Sequence, residues 1–250
     1  MLHRCELTHP GRYSFLGESM TAQSSTAERP EVPAKVLHTE QQIEAAHYAL
    51  LRRIAPCLRH HMVRPLQPIG LVYGVMRHKL DSPTPDIQSV RQDAEKINGF
   101  AKAALEECLD INTWIVPEPG ELVALDAGVS SCVGLVSTML HFCGFKLSNQ
   151  IENLSVQVPR SGLRAVLIGA LLQVSDALEA RATLSLCASV VNGEAVLLLQ
   201  VEPRGDGPAE RYDEGYRRLL WDDVAALAAA ENVGLSRGPD QVEMRFSIAG

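Results

Sequence analysis

Between residues 39 and 80, apolar side chains recur mostly at three- and four-residue steps: Ile43, Leu50, Ile54, Leu58, Met62, Leu66, Ile69, Tyr73, Met76 and Leu80. This periodicity predicts a long amphipathic helix with one apolar stripe. The stretch Asp81-Ser82-Pro83-Thr84-Pro85 breaks it, and Asp86 is placed to cap a second helix carrying Ile87, Val90, Ala94, Ile97, Ala101, Ala104, Cys108 and Ile111. Two heptad-patterned helices joined by a short loop predict an antiparallel hairpin. A lone hairpin leaves one side of its seam open, so two chains are expected to close it as a homodimeric four-helix bundle. Pro56, Pro65 and Pro68 fall inside the first helix. A proline in a helix interior costs about 3 kcal/mol through a lost hydrogen bond and a ring clash, so a kink or local break is expected there.

Beyond Pro117-Glu118-Pro119-Gly120 the period changes, marking a second domain over 121–250. Short strands are predicted at 121–125, 145–151 and 154–158, with a helix capped by Asp126 running to about residue 142. Ser161 is placed to cap a helix reaching Leu178. Strands at 183–190 and 195–201 flank Asn192-Gly193, a strong hairpin-turn pair. A helix over 217–231 and strands at 234–236 and 242–248 complete the order β-α-β-β-α-β-β-α-β-β. That order predicts an α/β sandwich with helices on one face of a mixed sheet, and the chain as a whole is of the α+β class.

Residues 1–37 lack periodicity and are rich in Gly, Ser, Thr and Pro, which predicts a disordered tail, with Met20 an alternative start. The hairpin domain then covers 38–115. A net charge of −7 gives no electrostatic footprint for nucleic acid. No apolar run approaches the roughly 18 residues that cross a bilayer, and no signal pattern opens the chain, so a cytoplasmic protein without membrane partners is expected. The six cysteines are scattered without a CxxC pair; they read as reduced small hydrophobes rather than disulfides or metal ligands.

The candidate chemistry lies in Leu58-Arg59-His60-His61-Met62-Val63-Arg64-Pro65-Leu66, where a histidine precedes a Pro-Leu pair by five residues. This motif, together with a hairpin followed by the sandwich, resembles the dimerisation/phosphotransfer and ATP-binding domains of bacterial histidine kinases over about residues 40–250. The resemblance implies that His60 is the phosphoacceptor, with His61 in place of the family's acidic neighbour and a possible assisting base. It also implies a nucleotide site that has been lost. The helix over 163–178 carries Gly169 and Gln173 where the family has two asparagines, one a magnesium ligand. In Val201-Glu202-Pro203-Arg204-Gly205-Asp206-Gly207 the two glycines remain, but Pro203 replaces the aspartate that grips adenine, and proline offers no side-chain acceptor. Of the glycine-rich lid only Gly215 is left. The sandwich is therefore expected to be a degenerate ATPase domain without cofactor or metal, in which Asp176 reads as a structural acid.

Two functions follow. One is a histidine phosphotransfer protein that relays phosphoryl groups between response regulator receivers through His60, with Arg59, Arg64, Arg77 and Lys79 steering the acidic receiver pocket. The other is a dimeric pseudokinase that acts as a binding adaptor. His60 and His61 as plain surface histidines on a polar helix face would fit the second.

Overall fold

In the computed structural model, which describes residues 38–116, 118–210 and 216–249, the first helix α1 (Glu40–Val63) begins in a capping box. The Thr39 hydroxyl accepts from the Gln42 amide at 3.2 Å, and the Gln42 side-chain oxygen accepts from the Thr39 N–H at 2.8 Å, so two orphan donors are satisfied reciprocally. The expected single helix over 39–80 is in fact two. Residues 64–66 form a turn between α1 and α2 (Gln67–Leu80). Pro65 has no N–H for the carbonyl one turn back, and its ring clashes there, so the helix stops. Pro68 lies in the first turn of α2, where a missing N–H costs nothing. Pro56 alone is accommodated inside a helix.

The Asp86 carboxylate caps α3 (Ile87–Ile115) as expected, accepting from the Gln88 and Ser89 amides at 3.1 and 3.3 Å. α2 and α3 pack together, but their contact line differs from the predicted stripe. Asp93, Ala104, Ile111 and Trp114 are the buried residues of α3, whereas Ile87, Ala94, Ala101 and Cys108 are exposed. Asp93 is held by two lysines: Lys79 Nζ donates at 2.5 Å and Lys96 Nζ at 3.0 Å. These bonds hold its carboxyl below the usual carboxylate range. Lys79 also donates to Ser89 Oγ at 2.7 Å. It therefore braces the hairpin tip.

The sandwich keeps the predicted order: β1 (Leu122–Ala124), α4 (Leu125–Phe142), β2 (Lys146–Asn149), β3 (Gln157–Pro159), α5 (Arg160–Ala177), β4 (Ala180–Val191), β5 (Glu194–Pro208), α6 (Trp221–Ala230), β6 (Gly234–Arg237) and β7 (Gln241–Ser247). Strands β2-β4-β5-β7-β6 form a mixed sheet in which only β2 and β4 run parallel, and β1 pairs with β3 separately. Asn192 and Gly193 both take positive φ, 53° and 81°, the geometry that lets a two-residue turn follow the strand twist. Two caps shift: Asp126 and Ser161 lie inside the helices they were expected to cap, after Ala124 and Pro159. α4 is 18 residues with a mean hydropathy of 1.2, long and apolar enough by composition to cross a membrane, contrary to the expectation that no segment approaches this. Here its Leu125, Val129, Cys132, Val136 and Leu140 are fully buried against the core. Burial pushes the Cys132 thiol up to about 12. Cys57, Cys108, Cys132 and Cys143 are free thiols, whereas Cys187 is disulfide-bonded, which corrects the expectation that all six cysteines are reduced.

The hairpin does not stand clear of the sandwich. α1 runs across α4, α5 and α6, burying Ala46, Ala49, Leu50 and Ile54. Arg53, only 4% exposed, meets Asp176 at the end of α5 with two bonds of 2.6 and 2.9 Å. The forked guanidinium matches the carboxylate, which is what offsets the desolvation of both charges. At the other end of α5, Arg164 lies 4.3 Å above the Trp114 ring and donates to Thr113 and Asp110 at 2.6 and 2.7 Å.

Candidate functional site at the end of the first helix

His60 and His61 occupy the last turn of α1, just before the turn that Pro65 imposes. Cys57 and Leu58, one turn earlier, are buried and fix the rotation of the helix. About 100° of turn per residue then sends His60 outward, and His60 is exposed. His61 points toward the hairpin instead. Its side chain is 22% exposed, and its Nδ1 lies 3.6 Å from Glu107 Oε2 on α3. The two imidazoles stand edge to face with ring centres 6.2 Å apart.

His60 forms one wall of a cleft of about 360 Å³ between α1 and α4. Pro56, Cys57, Arg59 and Val63 complete the α1 side, and Thr138, Met139 and Phe142 the sandwich side. Phe142, the last residue of α4, is 67% exposed. An exposed aromatic beside an exposed histidine, on a floor containing the Cys57–Met139 sulfur contact, gives an amphipathic surface suited to protein docking. Arg59 and Arg64 are exposed near His60, while Arg77 lies 4.0 Å from Asp81 on a side chain 73% exposed.

The positions tied to nucleotide are arranged quite differently. All residues of α5 from Gly162 to Val174 are buried. A Cβ on Gly169 would meet Leu227 at 3.3 Å and Val224 at 3.7 Å, so α6 lies directly on that position. Gln173 is 7% exposed, and its Oε1 has no hydrogen-bond partner. A magnesium ion with several waters needs an open, polar approach, whereas Gly169 and Gln173 are both buried among the described residues. Pro203 pairs with Ala182, whereas Ala180 pairs with Pro208, so Gly205 and Gly207 sit in a bulge of β5 with φ of 68° and 130°. Gly215 lies outside the described residues, as does the expected tail over 1–37. Among the described residues no group of three or more metal-ligating side chains occurs. Asp176 is a structural acid, through Arg53 rather than within its own helix.

Sequence reasoning missed Phe142 and Glu107. Phe142 lies outside any stripe, and its place beside His60 arises only when α1 crosses α4. Glu107 did leave a signal: it stands three residues after Ala104 and four before Ile111, so it is an acid on the buried line of α3.

No family model matches the sequence, and no curated protein matches it. Among solved structures, the chain is similar to the histidine kinase AdeS of Acinetobacter baumannii, with 15% identity and a TM-score of 0.40, over 76% of this chain and 98% of that one. It is similar to a bacterial phosphotransferase at 11% identity and a TM-score of 0.36, over 85% and 99% of the two chains. A histidine kinase from Burkholderia phymatum shares 18% identity at a TM-score of 0.37, over 85% and 100%. At that distance these are likenesses of architecture and say nothing of chemistry.

Proposed function

We propose that this chain is a histidine phosphotransfer protein of two-component signalling, acting in the cytoplasm as a homodimer without using ATP. The observation that carries the reading is a contrast between two places. His60 stands exposed at the mouth of the cleft, while Gly169 is covered by α6 and Gln173 is buried. In the proposed reaction, His60 Nε2 attacks the phosphorus of a receiver's aspartyl phosphate. The P–O bond to the aspartate breaks, the carboxylate leaves with the electron pair, and the phosphohistidine passes the group to a second receiver by the reverse step. The acyl phosphate supplies the energy, and the receiver brings its own magnesium. Phe142, Val63 and Arg59 would seat the receiver, and Arg64 would add to the attraction of its acidic pocket.

The dimer is supported by apolar side chains that the hairpin leaves in water. Leu71, Tyr73 and Leu80 of α2 and Ile87, Leu105 and Leu109 of α3 are 45–73% exposed. A four-helix bundle of two chains would cover such a face. That same face also favours the rival reading, a dimeric adaptor that binds its partner without a reactive histidine.

The two are separated by incubating the full chain with receivers charged by acetyl phosphate. The transfer reading expects an acid-labile label on the wild type and none on His60→Gln. A receiver panel that binds the chain but leaves no label favours the adaptor. Nucleotide titration is expected to show no binding at millimolar ATP; saturable binding would remove the ATP-independent part of the reading.

A further inference from the structure

The partner that Glu107 gives His61 extends the chemistry beyond His60, and this step rests on the phosphotransfer reading above. We propose that Glu107 and His61 form an acid–base pair that takes the Nδ1 proton from His60 when it is phosphorylated and returns it when the group leaves, with Glu107 as the positioning residue.

The geometry sets the roles. His61 Nδ1 lies 3.6 Å from Glu107 Oε2, close enough that a small side-chain movement makes a hydrogen bond. A carboxylate facing Nδ1 favours the tautomer with the proton there, which leaves the Nε2 lone pair free to accept a proton. The His60 and His61 ring centres are 6.2 Å apart, a spacing that admits one bridging water between their nitrogens. Both His61 and Glu107 line a cavity of about 230 Å³ with Asp110, Ser131 and Gly134, so water reaches the pair. His61 and Glu107 are themselves partly exposed, at 22% and 36%.

The proton count follows from the transfer. Neutral His60, protonated on Nδ1, attacks through Nε2. Bond formation to phosphorus and loss of the receiver carboxylate leave a positively charged N-phosphoryl imidazole. Its Nδ1 proton passes across the water to His61 Nε2, and the resulting imidazolium faces the Glu107 carboxylate. In the return step the proton goes back to His60 Nδ1, making a neutral imidazole the leaving group as the next aspartate takes the phosphoryl group. Glu107 thus acts through His61 and never touches the phosphate.

The test uses the whole chain, with a receiver domain charged by acetyl phosphate as donor. His61→Asn is expected to slow transfer about 100-fold, within the range of general acid–base effects. Glu107→Gln is expected to slow it at least about tenfold, and Glu107→Asp to recover part of the rate. Joining Glu107→Gln to His61→Asn should add nothing further, because the carboxylate has no other route to the reaction. Independently of transfer, nitrogen NMR of the imidazoles should show His61 in the Nδ1-protonated tautomer in the wild type and not in Glu107→Gln. Transfer that is normal in Glu107→Gln, additive losses in the double variant, or an unchanged His61 tautomer would each overturn the pair. If the wild type takes up no label, the phosphotransfer reading is what fails, and the tautomer still reports on the pair. If Glu107→Gln does not fold, Glu107→Asp and the wild-type tautomer carry the decision.

Discussion

The arm formed by α2 and α3 and the helix α5 at the centre of the sandwich are built from similar proportions of apolar residues and end in opposite states. α2 buries no residue completely. α5 is buried from Gly162 through Val174 without a gap. In α5 the apolar residues surround the helix, and the sheet, α1, α4 and α6 cover every side, as a helix that is hydrophobic all round requires. In the arm they form two adjacent lines, of which the partner helix covers one. The difference separates a region covered by its own chain from one that leaves apolar side chains exposed. Chemistry follows the same division in part: the exposed histidine belongs to α1 where it leaves the sandwich, and Gly169 and Gln173 belong to the closed part, whereas Pro203, Gly205 and Gly207 are exposed on β5.

The sharpest way to break this contrast is at the contact that closes the sandwich. Removing one partner of the buried Arg53–Asp176 pair, as Arg53→Ala, should destabilise the folded chain by about 3–5 kcal/mol in denaturant unfolding, because the other charge is left uncompensated. Replacing both, as Arg53→Met with Asp176→Leu, should cost much less. If the single variant is neutral, α1 is not fastened there. A core truncation in α5, Leu167→Ala at a fully buried position, should cost about 2–5 kcal/mol by the same measurement. Tyr73→Ala in the arm should leave unfolding of the sandwich almost unchanged.

On the arm, Leu105→Lys should turn a dimer into a monomer in sedimentation while leaving the circular dichroism of the fold intact. A wild-type monomer at micromolar concentration would refute the covered face. Acid should loosen the arm before the sandwich. The Asp93 carboxyl is held down by Lys79 and Lys96, so its stabilisation is present above the unfolded value of about 4 and is lost as pH falls through the lower folded value. Hydrogen exchange near residues 79–96 should therefore rise on acidification, and Asp93→Asn should remove that response. The smallest effect is chemical: Cys108 is exposed and should react with alkylating reagents, whereas the buried Cys132 thiol, raised to about 12, should not.

Much of this contrast was legible in the chain. Asp86 at the head of α3 and Asn192-Gly193 at the β4–β5 turn act through neighbours in sequence, and both behave as their local chemistry dictates. The order of strands and helices in the sandwich was found as well, although β3 begins at Gln157 rather than 154 and β5 runs on to Pro208 rather than ending at 201. What periodicity did not settle was rotation. Along α3 the contact line keeps the predicted column Val90, Ile97, Ala104 and Ile111, but the covered flank is Asp93, Phe100, Glu107 and Trp114 rather than Ile87, Ala94, Ala101 and Cys108, because packing against other helices and not the local pattern decides which flank is covered. The pair Arg53–Asp176 joins residues 123 apart, and no local pattern announces a bond at that separation. His60 was visible as a motif, but Phe142 beside it was not, since their meeting depends on where α1 crosses α4.

The most direct measurement is the position of the phosphate itself. Full-length chain exchanged with an acetyl-phosphate-charged receiver, then digested at alkaline pH and sequenced by mass spectrometry, should carry the group on the peptide holding His60, on that imidazole and not on His61, and lose it in acid. Phosphate located on any other residue, or uptake that survives in His60→Gln, would contradict the account.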